Sequence, residues 1–177
     1  EMGINKALIL LPGSHSQGVF YNNGIIEAFI SNYTGEVFQA IRKETLLSVV
    51  FDDKYKALDE NMISMALDNL EKFGFNRALY ICNAMRLMGQ RSPQERYAYG
   101  EGVINGGLLK SFSYYLEHKF PSYDTLVILS DDFNCQLFTM IFKHCSLIKK
   151  IVPIVLNDGD SYALEGFKKV YSLRGNK

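Results

Sequence analysis

What this sequence has little of narrows its function first. It has three cysteines, Cys82, Cys135 and Cys145, none in a Cys-x-x-Cys pair and all within apolar runs. That usage reads as buried free thiols in a reducing compartment and disfavours a disulfide scaffold. The three histidines, His15, His118 and His144, are scattered without metal-ligand spacing, so no metal site is expected. Acids and bases balance at 19 each, for a formal net charge of +0. Without a basic surplus, these residues are not themselves expected to bind DNA or an anionic membrane. No run approaches the ~18 apolar residues of a membrane span, and no charged-then-apolar leader opens the chain. A cytoplasmic location is the expectation. The opening Glu-Met-Gly reads as an arbitrary start, which suggests a fragment of a longer chain.

What is present is globular: 47% hydrophobic and 21% charged over 177 residues, enough for one ordinary domain or two small lobes. Short apolar runs between turn signals predict strands at residues 6–11, 46–51, 77–82, 125–129 and 151–156, with shorter ones at 55–58 and 170–173. Helical spacing predicts helices at 21–29, 36–43, 59–73, 108–118 and 133–144. The clearest is 59–73, where Met62, Met65, Ala66, Leu70 and Phe73 form one apolar stripe and Gly74 closes it. Ser92, Pro93 and Glu95 form a capping-box signature that starts a further helix at Pro93. Gly100, Gly102, Gly106 and Gly107 weigh against its continuing. Apolar strands alternating with helices predict an α/β, Rossmann-like fold with mostly parallel sheets. Polar residues recur at the strand ends, at Asp52, Asn83, Asp131 and Asn157. That rim is where open parallel sheets bind ligands, and its acids and amides suit a hydroxyl-rich molecule.

Several stretches compete for the site. The loop 13–18 could cradle phosphate, but it lacks the Lys-Ser/Thr of a P-loop and the three-glycine spacing of a dinucleotide fingerprint, so an ordinary strand-to-helix turn is preferred. Residues 6–29 faintly resemble the glycine-rich opening of patatin-like lipases, yet no Gly-x-Ser-x-Gly elbow follows to supply a nucleophile. Cys135 or Cys145 with His144 lacks an activating partner. The pairs Asp52-Asp53 and Asp131-Asp132 read as one cap and one outward acid each, in preference to a cation site. Arg96, on the first turn of the capped helix, offers a guanidinium fork to paired ligand oxygens, or else pairs on the surface with Glu95 or Glu101. No catalytic residue and no cofactor motif stands out.

The ordered set of a helix, Leu70-x-x-x-Gly74-Phe75-Asn76-Arg77-Ala78-Leu79-Tyr80-Ile81, then Ser92-x-x-Glu95-Arg96, resembles the effector domain of lactose-repressor/galactose-repressor (LacI/GalR) transcription regulators. The segments TLVILSDDFNCQLFTMIF, IVPIVLNDGD, LSVVFDDKYKALDEN and INKALILLP are similar to further strands of that family, in the same order. Asp131, Asn157 and Phe75 depart from its usual residues, and its DNA-binding head has no counterpart here. The resemblance implies a periplasmic-binding-protein-like, two-lobed effector domain over 1–177, with lobes 1–75 and 76–160 and a tail 161–177. It implies a noncatalytic sensor of a sugar or sugar phosphate, held by Asp52, Arg96, Asp131, Asp132 and Asn157. A homodimer, touching DNA only through a domain missing from this chain, goes with that reading. The rivals are a Rossmann-like enzyme, hydrolytic or modifying a sugar or nucleotide, and a sugar-binding protein with no link to DNA.

Overall fold

The structure is a computed structural model that describes residues 3–157 together with 166, 168, 169, 171 and 172. Its elements run β1 (Lys6–Leu11), β2 (Ser16–Asn22), β3 (Ile25–Asn32), α1 (Thr34–Glu44), α2 (Glu60–Phe73), α3 (Phe75–Leu87), α4 (Pro93–His118), β4 (Thr125–Ser130), α5 (Asp132–Phe142) and β5 (Lys150–Val155), with 3-10 turns at Leu46–Val49 and Asp53–Tyr55. The five strands form one sheet in the order β3-β2-β1-β4-β5. β1–β4 and β4–β5 pair in parallel and β1–β2 and β2–β3 antiparallel, so every strand but β2 points the same way. The α/β expectation therefore holds at the level of class, with strands from both sides of residue 75 joined in one sheet. Among the described residues no helix is long and apolar enough to cross a membrane.

One side of the sheet carries the larger core. Leu8 and Leu10 of β1 and Leu126 and Ile128 of β4, at alternate positions and so on one face, meet Ile63 of α2, Leu108 and Phe112 of α4, and Phe138 and Ile141 of α5. A second cluster, built without strands, gathers Ile41, Phe51, Met62, Ala78, Cys82, Tyr97 and Val103 around α4. α4 is common to both. It begins as expected, with the Ser92 hydroxyl accepting from the Glu95 amide and the Glu95 carboxylate accepting from the Ser92 amide. Its glycines do not interrupt it. A Cβ on Gly102 would stand 2.8 Å from that of Ala66, so the glycine lets α2 and α4 approach closely, and burial of both helix faces outweighs the ~1 kcal/mol cost of each glycine.

Other expectations need correction. Residues 21–29 are no helix: β2 and β3 form a hairpin about Asn23 and Gly24, whose φ angles of 47° and 88° suit a tight two-residue turn. Residues 77–82 are no strand but the middle of α3, whose buried Ala78, Cys82 and Met85 recur at helical spacing. Residues 46–51 and 55–58 are 3-10 turns and irregular chain in place of strands. The expected strand 170–173 lies outside the described residues, except Tyr171 and Ser172, which are helical.

Candidate functional site

β1 and β4 run side by side and end together, and the chain leaves them in opposite ways: β1 into the turn Pro12-Gly13-Ser14, β4 into α5. Between these exits a cleft of about 280 Å³ opens, at the carboxyl ends of parallel strands where such sheets bind ligands. The turn forms one wall. Phe38, Gln39 and Arg42 of α1 form the second, Asp53 and Lys56 the third, and Phe133, Asn134 and Phe138 of α5 the fourth. Tyr97, Glu101 and Asn105 of α4 also line the cleft; spaced four apart, they share one helix face.

The turn is clamped to α1. The Glu36 amide donates to the Ser14 carbonyl at 3.0 Å, and the buried Ser16 and Thr34 hydroxyls meet at 2.5 Å. A side chain at Gly35 would place its Cβ 2.2 Å from the Gly13 carbonyl oxygen, so only glycine permits this backbone contact. His15 pairs with Glu36 at 2.9 Å on the outer side. Loop 13–18 thus leads into strand β2 and not into the expected helix, and its place on the cleft wall gives it more weight than an ordinary turn.

The charges in the cleft are two cations and two acids. Arg42 donates to the Asp53 carboxylate at 2.5 Å, which raises the guanidinium pKa and keeps it charged. The Lys56 ammonium stands 4.2 Å from the centroid of the Phe133 ring, a favourable cation–π placement. Glu101 is only 5% exposed. Its carboxylate accepts from the Asn105 side-chain amide at 2.8 Å. Burial pushes its pKa up to about 7 against the pull of Tyr97, Lys56, Asn105 and Arg42. Burial, with Glu101 next to it, also raises the Tyr97 phenol. A guanidinium fork and an ammonium beside a clamped backbone turn are suited to a multiply charged oxyanion.

None of the five residues expected to hold a ligand lines this cleft. Asp52 caps the 3-10 turn Asp53–Tyr55 and pairs with Lys54 at 2.8 Å, which lowers its pKa. Arg96 folds back on the loop before α4 and donates to the carbonyls of Gln90 at 3.2 Å and Arg91 at 2.6 Å. Asp131 caps α5, accepting from the amide of Asn134 at 2.9 Å and from its side chain at 2.6 Å. Asp132 accepts from Gln136 at 2.6 Å. Asn157 follows β5 and is exposed. The residues that do converge are Arg42, Lys56, Glu101 and Asn105, which no single sequence motif links. The signal in the sequence is the four-residue spacing of Tyr97, Glu101 and Asn105, which sets a phenol, an acid and an amide on one face of α4.

Comparison with known proteins bears on what such a cleft serves. A search of curated proteins finds no significant sequence match. Among solved structures, a Sinorhizobium meliloti protein provisionally described as a 2-dehydro-3-deoxygalactonokinase superposes with a TM-score of 0.68 at 19% identity, over 87% of this chain and 50% of its own. The chain thus spans about half the length of that protein. The sequence profile of the 2-keto-3-deoxy-galactonokinase family matches residues 2–168. That match overturns the resemblance to lactose-repressor-type regulators. With it go the repressor role, the noncatalytic sugar sensor and the DNA partner, because the profile is that of a kinase family. Of the expectations, the rival that named a sugar-modifying enzyme fits best. The physical reason is visible in the sheet, where the hairpin β2–β3 occupies one flank in place of the expected helix at 21–29. By the extent of that match, this chain belongs to the 2-keto-3-deoxy-galactonokinase family.

Proposed function

We propose that this chain forms the anion-handling part of a sugar-acid kinase, which moves a phosphoryl group from ATP to a hydroxyl of 2-keto-3-deoxygalactonate. The observation that carries the reading is the convergence of Arg42 and Lys56 on a cleft walled by the clamped turn Pro12-Gly13-Ser14, in a chain of this family. Both the nucleotide and the sugar acid are anions, and phosphoryl transfer consists largely of positioning and charge stabilisation. Arg42, braced by Asp53, presents fixed donors to phosphate oxygens, and Lys56 adds a mobile point charge. Asn134 supplies a neutral polar group at the head of α5.

The test is an assay of ADP release with ATP and 2-keto-3-deoxygalactonate. Turnover is expected with both present. Arg42→Ala and Lys56→Ala are each expected to lower kcat/KM by about tenfold or more, the scale of a lost charge-assisted hydrogen bond. Full turnover in both variants would overturn the assignment of this cleft.

A further inference from the structure

The kinase reading makes no use of Glu101, a carboxylate shut beneath a cleft that is to receive an anion. We propose that anion binding in this cleft is coupled to the uptake of one proton by Glu101, so that Arg42 and Lys56 stabilise Glu101 in the free protein and the ligand in the complex. The coupling rests on the kinase reading only in taking the cleft as an anion site.

The groups facing Glu101 make the exchange. From its own helix come the Tyr97 phenol and the Asn105 amide; from α1 comes Arg42, and from the segment after it Asp53 and Lys56. To the cleft lining α5 contributes Asn134 and the rings of Phe133 and Phe138, the turn Pro12, Gly13 and Ser14, and the start of β2 Ser16, none of them titratable. α2 packs here through Ile63 and Ala66 against Gly102. Lys56 and Arg42 are therefore the positive charges that hold the Glu101 carboxylate ionised, against a burial that alone would neutralise it. An oxyanion that lands on the two cations brings a like charge to Glu101 and occupies its counter-charges. Both effects favour the protonated acid. The proton comes from solvent onto a carboxylate oxygen; no other bond changes. Because Glu101 is balanced near pH 7 before the ligand arrives, the uptake falls in the neutral range.

Sulfate is the probe, since it stays a dianion near neutrality and takes no proton itself. Calorimetric titration in two buffers of different ionisation heat is expected to show uptake approaching one proton per sulfate above neutrality. The affinity is expected to be flat on the acid side and to fall by up to about tenfold per pH unit above neutrality. Glu101→Gln should bind without uptake and with flat affinity. Sulfate binding by the wild-type protein with no uptake and no pH dependence would overturn the coupling, and needs no variant to fold. Wild-type uptake retained in Glu101→Gln would place the proton elsewhere and overturn it as well. A double Arg42→Ala/Lys56→Ala variant that binds sulfate normally, or a wild-type protein that binds none, would instead overturn the anion cleft, and the coupling with it.

Discussion

Glu101 also makes a prediction about stability that requires no ligand. Its carboxyl titrates near 4.5 when solvated and at about 7 in the folded chain, with burial as the leading cause. Between those values the native protein holds a proton that the unfolded chain has released, so stability falls as pH rises through that window. Below pH 4.5 both states are protonated and nothing is lost; above about pH 7 the loss is complete. A difference of this size amounts to roughly 3 kcal/mol. Other carboxylates act on the opposite side: Asp52, Glu60 and Glu95 are each held below their ordinary values by hydrogen bonds and neighbouring cations, and they favour folding at higher pH. The clean measurement is therefore a difference. Glu101→Gln keeps the shape and an acceptor for Asn105 without the charge, and should match the wild type closely in acid. Urea unfolding of both proteins at acid and mildly alkaline pH should show the variant gaining roughly 3 kcal/mol on the wild type across that range. A variant-minus-wild-type difference that stays constant with pH would refute the reasoning, because it would mean that the buried carboxyl is not held against its solvation.

Three further outcomes follow from the contacts described. Gly35→Ala forces a Cβ into the Gly13 carbonyl and should cost about 1–3 kcal/mol while weakening sulfate binding; an unchanged urea midpoint with unchanged binding would contradict the clamp. Ser92→Ala removes one half of the capping box and should cost about 1 kcal/mol, largely restored by Ser92→Asp, as read by thermal or urea unfolding. Arg96→Ala gives up two hydrogen bonds to exposed carbonyls and should cost about 1 kcal/mol with sulfate affinity unchanged; a large loss of affinity would return Arg96 to the site.

Much of the fold was legible because the local signals were strong and agreed with tertiary structure. β1, β4, β5, α1, α2 and α5 lie within a residue or two of the expected spans, and the capping box at Ser92 is present in full. The hairpin was legible too, but read by the wrong period. Asn23-Gly24 is among the strongest short-range turn signals, and it outranks the mixed apolar spacing that suggests a helix. In α3 the helical period shows only beyond the apolar run 77–82: with Met85 included, Ala78, Cys82 and Met85 form one buried stripe. For residues 46–51, composition alone misleads. Their apolar side chains fill the helical cluster, where Leu47, Val50 and Phe51 are buried, so the run reflects burial and not sheet pairing.

The expected ligand residues lie off this cleft for a related reason. An acid after an apolar run has two uses, to meet a ligand or to cap the next element, and the short segments that follow such runs here favour the second. Asp52, Asp59 and Asp131 each accept from a backbone amide two or three residues on, satisfying donors that a helix start leaves open. Capping acids recur in any alternating α/β chain, whatever it binds, so their ordered recurrence carries the resemblance to sugar sensors without carrying the function. The groups in the cleft come instead from helix faces that cross the rim, Arg42 from α1 and Glu101 from α4. Sequence patterning would expect both on solvated faces; packing leaves Arg42 partly exposed and buries Glu101. Such a charge opposes folding unless partners or chemistry offset it. For Glu101 the partners are only partly sufficient, since its pKa remains raised with Asn105, Tyr97, Lys56 and Arg42 all in place. That residual opposition to folding makes Glu101, and not the better-satisfied capping acids, the residue whose charge state a ligand in this cleft can change.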